Sequence, residues 1–177
     1  MTEFEIESLP VEHENNYYHV RWMIRRDMPE VIQIEKNLFS FVDPDFQVPQ
    51  IGKLAWSEDN FLRNLRERNV IGMVAEQKDL VVGYMVYELH KQKITILKIE
   101  GDSNKNVTEI IKNMLSKLYD KMSQGRREKI QIIVPEKHLA RQLLLKEEGF
   151  HAKRVVRGHF DEDNQDGYLL EKVFFKD

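Results

Sequence analysis

The chain has 177 residues and a mass of 21.2 kDa, the size of one domain with short appendages. It contains no cysteine, which excludes disulfides, thiolate catalysis, iron–sulfur clusters and Cys-ligated zinc. Its hydrophobic fraction of 41% and charged fraction of 32% describe a folded chain rather than a disordered one, and no apolar run reaches the ~20 residues of a membrane span.

The net charge of −3 hides a segregation. Residues 1–18 carry five Glu and no Lys or Arg, residues 105–157 carry 13 Lys and Arg against 6 Asp and Glu, and residues 158–177 return to net acid. The basic middle could attract an anion, or could be solvated helix faces. Nucleic acid is a poor fit, because the pI is near 6.1 and no aromatic is interleaved with a basic run. The acidic start, MTEFEIESLP, is unlike a secretory leader, so a cytoplasmic location and no membrane partner are expected.

In chain order, residues 1–18 read as an acidic arm whose Phe4, Ile6 and Leu9 could dock elsewhere, and 19–177 as a single domain. Residues 18–24 are strand-like. Asp27-Met28-Pro29-Glu30 looks like a helix start, with Asp27 as cap and Val31, Ile34 and Leu38 as the apolar stripe. Residues 42–55, which carry Pro44, Pro49 and Gly52, break every period and form a long loop whose Phe46, Val48 and Ile51 could anchor a partner. Ser57 caps a second helix with Phe61, Leu62 and Leu65 inward.

Apolar runs at 70–75 and 80–87 predict a hairpin, and 93–99 a further strand. A helix over 106–122 has Ile110, Ile111, Met114, Leu115 and Leu118 inward and stops at Gly125. A strand at 129–134 is followed by a helix over 135–148, with Leu139, Leu143 and Leu144 inward and Gly149 as its stop. Strands at 153–160 and 167–175 close the chain. The order β-α-α-β-β-β-α-β-α-β-β predicts an α/β (α+β) domain with a mixed sheet of six to seven strands and about four helices.

Arg21-Trp22-Met23-Ile24-Arg25-Arg26-Asp27-Met28-Pro29-Glu30, Trp56-Ser57-Glu58-Asp59-Asn60-Phe61, Asn69–Glu76, Val81–Glu88, Leu139–Leu143 before Gly149-Phe150, and Asp166-Gly167-Tyr168 occur in an order that resembles the GNAT superfamily. The likeness is to its ribosomal-protein-alanine N-acetyltransferase branch in particular. It implies the GNAT fold with an inserted 42–55 loop, and acetyl transfer from acetyl-CoA to a primary amine, either a protein N-terminus or a small amine. It also implies a cofactor lying where the strand near 94–99 splays from that at 130–134, against Leu97 and Ile99. The pyrophosphate would rest on backbone N–H groups before the central helix. A strand carboxylate would act as base, and a tyrosine in the last helix as acid.

The sequence departs at each of these places. The turn, Ser103-Asn104-Lys105-Asn106-Val107-Thr108, is short and lacks glycine; Ile133-Val134-Pro135 offers no carboxylate; Leu145 stands at the tyrosine position; and His138 replaces an asparagine. Lys105 could meet phosphate as a charge, or be solvated. Glu88 is either a substitute base or an exposed strand-end acid. Trp56, His159, Phe160 and Tyr168 match acceptor-side positions, with a core role the alternative for Trp56. The six histidines show no metal-ligand spacing. Two functions follow: an N-acyltransferase with an altered cofactor turn, or a catalytically silent GNAT-fold binding or regulatory module.

Overall fold

The computed structural model describes residues 17–40, 55–125, 127–160 and 165–174. Residues 1–16 of the acidic arm and 42–54 of the loop lie outside the described residues, while Tyr18, at the arm's end, is buried in the core. Strand β1 (His19–Trp22) leads through a 3-10 turn (Arg25–Asp27) into α1 (Met28–Ser40), and α2 (Glu58–Leu65) follows. Then come β2 (Val70–Gln77), β3 (Leu80–Leu89), β4 (Lys93–Gly101), α3 (Val107–Gln124), β5 (Lys129–Pro135), α4 (Leu139–Glu147), β6 (His151–Phe160) and β7 (Gln165–Val173). The seven strands form one sheet in the order β1-β2-β3-β4-β5-β7-β6, antiparallel throughout except for the parallel pair β4–β5.

Strands β2 and β3 are apolar on both faces because both faces are covered. On one side α1 and α2 bury Val31, Ile34 and Phe61 against Val74, Tyr84 and Val86. On the other, α3 buries Ile110, Met114, Leu115 and Leu118 against Met85, Ile96 and Ile130. All five residues of the predicted α3 stripe are fully buried, each worth roughly 1.5–3 kcal/mol. Gly83 permits this close approach, since a Cβ there would collide with Ile110. Ser57 caps α2 as predicted, its Oγ accepting from Asn60 N at 3.2 Å.

Three local expectations are corrected. Asp27 does not cap α1; it ends the 3-10 turn, where its carboxylate accepts the Ile24 N–H at 2.8 Å and pairs with Arg21 at 2.7 Å. Glu30 likewise turns away from the helix start and accepts the Val81 N–H at 2.6 Å. In the last helix, Leu139 and Leu143 are exposed, while Arg141, Leu144 and Leu145 face inward. Pro135 stays in β5 and the helix begins only at Leu139, so the inward i, i+3, i+4 set is 141, 144 and 145.

Candidate functional site

Strands β4 and β5 are paired only from Lys93↔Lys129 to Ile96↔Ile132. Beyond that, β4 remains on β3 as far as Gly101, and β5 on β7 as far as Pro135, so the two diverge into a cleft. A register shift in the β3–β4 pairing falls after Val86↔Lys98, leaving Leu97 without a Cα partner and turning the end of β4 away.

Arg141 of α4 bridges this cleft. Its Nη1 donates to the Ile99 carbonyl and its Nη2 lies 2.8 Å from Glu100 Oε2. The residue is 7% exposed, and the ion pair is shielded on both sides. Helix α4 is held over the cleft by Gln142, whose Nε2 donates to the carbonyls of Pro135 and Glu136, each at 2.9 Å.

A second buried cluster lies at the same end of β4. Glu35, 2% exposed on α1, accepts from the Tyr84 hydroxyl and from Trp56 N at 2.8 Å, and stands 3.3 Å from Lys98 Nζ. Burial pushes the Glu35 carboxyl above its ordinary pKa, and Lys98 and the Trp56 N–H offset this only in part.

The turn before α3 is closed on itself. Asp102 Oδ1 accepts from Asn104 N at 3.0 Å and from Asn104 Nδ2 at 3.1 Å, and the Asp102 carbonyl takes Lys105 N at 2.9 Å. Val107 N donates to the Lys105 carbonyl, and the Asn106 side chain caps α3 by accepting Glu109 N at 3.2 Å. The amides of residues 104, 105, 107 and 109 are thereby committed within the chain. Asp102 and Glu109 place negative charge at a helix start that would otherwise attract an anion. Ser103, Asn104, Lys105, Asn106 and Thr108 are exposed, and Val107 half-buried against Gly101. Three of the turn's amides, those of residues 104, 105 and 107, are thus withdrawn from any pyrophosphate, and Arg141 occupies the Ile99 carbonyl at the end of β4.

The other sequence candidates are dispersed over the fold. Leu97 packs half-buried toward α1 and α2, whereas Ile99 is buried on the α3 side. Glu88 sits at the closed end of the β4 pairing, opposite Thr95, accepting from Asn69 Nδ2 at 2.9 Å and lying 3.2 Å from His90 Nε2. His138 precedes α4 without a side-chain cap bond. Crowding by the surrounding protein, and then the Arg141 charge, hold its imidazole below the usual value. Trp56 stacks edge-on to Phe61 at 5.1 Å. His159 and Phe160 stack edge-on to each other at 4.8 Å at the end of β6, and Tyr168 lies on β7 opposite Val134 and Val155. Leu145 is fully buried in the core, so the family's acid position points away from the cleft.

Sequence reasoning missed Glu35, Lys98, Glu100 and the role of Arg141. Charged residues at i and i+2 on an otherwise apolar strand, Lys98 and Glu100, were the available signal. Among the described residues, no group of three or more His, Asp or Glu could hold a metal ion, and no helix is long and apolar enough to cross a membrane.

No protein-family model and no curated protein matches this chain. Solved structures do match over nearly its whole length. The ribosomal-protein-S18-alanine N-acetyltransferase of Escherichia coli superposes with a TM-score of 0.73 at 15% identity, covering 91% of this chain and 96% of that one. The ribosomal-protein-alanine N-acetyltransferase of Brucella melitensis gives 0.66 at 16% identity, covering 88% and 99%. The aminoglycoside 6'-N-acetyltransferase of Enterococcus faecium gives 0.66 at 8% identity, covering 90% and 98%. The fold is therefore that of the GNAT acetyltransferases. Proteins sharing it are described as acting on ribosomal-protein alanine in two cases and on an aminoglycoside in the third, so the fold does not select an acceptor.

Proposed function

We propose that this chain is a catalytically silent GNAT-fold module that works by binding rather than by acetyl transfer. The observation that carries this reading is Arg141, whose guanidinium reaches from α4 to the Ile99 carbonyl and Glu100 at the end of β4, where β4 has parted from β5. Breaking a buried pair by removing one partner costs about 3–5 kcal/mol, so a cofactor entering the cleft must displace a group that is itself well held. The 103–108 turn supports the same reading, because its Asn104, Lys105 and Val107 amides are already bonded within the chain.

A second reading is favoured by the near-complete superposition on N-acetyltransferases. In it the chain transfers acetyl from acetyl-CoA to a protein N-terminus or a small amine. Glu88 is then its weak base candidate, and Trp56, His159, Phe160 and Tyr168 flank the acceptor.

A thermal-shift titration with acetyl-CoA separates the two. The module reading expects no saturable stabilisation up to millimolar ligand. A ligand at 100 times its Kd would add about 2.7 kcal/mol. Such a shift, together with acetyl transfer to a panel of primary amines, would establish the second reading instead.

A further inference from the structure

A half-open groove of about 530 Å³ lies away from the β4–β5 cleft, between the end of β1, α2 and the start of β2. Its floor is apolar, with Leu62, Leu65 and Ile71 among its walls, and it continues onto Trp22 and Ile24. Those two side chains remain 50% and 44% exposed and extend the apolar surface of the groove. The remaining lining residues include Arg25, from the 3-10 turn, and Arg66, at the C-terminal end of α2. Among the described residues, no carboxylate lines the groove. Lys121 adds a third cation, its Nζ 3.5 Å from the Trp22 ring centroid.

We infer that this groove is a docking surface for a partner's peptide segment in which apolar side chains alternate with carboxylates. The apolar side chains would cover Trp22, Ile24 and the floor, while the carboxylates meet Arg25 and Arg66 on separate elements flanking it. Two cations on different elements favour a ligand carrying several acids over one with a single anionic head. The inference deepens the binding-module reading and rests on it.

The test uses the full chain and a fluorescein-labelled synthetic peptide of the required chemistry, SLEFELEVS, with the same peptide carrying Gln at all three Glu positions as control. Fluorescence polarisation should show saturable binding of the acidic peptide, weakened at least tenfold in the Gln peptide and in the Arg25→Glu/Arg66→Glu protein. Both arginines are exposed, so the double variant should keep the wild-type Tm. Trp22→Ala should weaken binding to a similar degree. Absence of binding to the wild-type chain would overturn the inference, as would equal affinity for the two peptides. Saturation by dodecanoate in place of the peptide would overturn it in favour of a lipid-like ligand. Acetyl-CoA titration of the same protein reports separately on the module reading, so the two can fail independently.

Discussion

Arg141 Nη2 and Glu100 Oε2, 2.8 Å apart, join the last helix to the end of β4 across a gap where the sheet itself makes no hydrogen bonds. One side chain therefore does two jobs: it satisfies the Ile99 carbonyl and it neutralises a shielded acid. The consequence is that stability and cleft closure are coupled at a single position.

Arg141→Ala should lower stability by about 3–5 kcal/mol, since Glu100 and the Ile99 carbonyl lose their partner while staying shielded. Urea denaturation measures this. Acetyl-CoA should still fail to stabilise the variant, because the amides of residues 104, 105 and 107 remain bonded. A loss below 1 kcal/mol would show that the bridge contributes little.

Installing the family's missing groups, as Ile133→Glu with Leu145→Tyr, should produce no acetyl transfer. Leu145 faces the α3 core, so a tyrosine there overpacks the interior at a cost of roughly 1–3 kcal/mol rather than entering the cleft. An amine-acetylation assay and a Tm measurement on the double variant check both halves of the claim.

Asp27→Asn should weaken the acid dependence of stability. Burial alone would raise the Asp27 pKa, but the Arg21 guanidinium and the Ile24 N–H overcome it and hold the carboxyl below its ordinary value of 3.8. A depressed folded pKa means the stabilisation is present above the ordinary value and is lost as pH falls through the folded one. The variant should be about 1–3 kcal/mol less stable at neutral pH and should lose less on acidification below pH 3.8. Denaturation at a series of pH values reads the slope.

Leu115→Ala should cost about 2–5 kcal/mol through lost burial and the cavity left under α3, where Leu115 is fully enclosed. A smaller loss by urea denaturation would mean that α3 can settle onto the sheet.

The sequence by itself determined the order of the elements, the α3 stripe, the Ser57 cap and the fold class, because each is a local pattern: a period, a capping hydroxyl, a glycine stop. It also showed that the 103–108 turn lacks glycine. It did not place α4. With its start at Leu139 rather than Pro135, the phase of that helix turns Leu139 and Leu143 outward and Arg141 inward, and a four-residue shift in onset is invisible to apolar periodicity in a leucine-rich run. Nor could it bring Arg141 to Glu100, or Glu35 to Lys98, since those meetings join residues 41 and 63 positions apart. Only the tertiary structure decided them, because a buried charge finds its partner through the packing of whole elements, which no local window of sequence encodes.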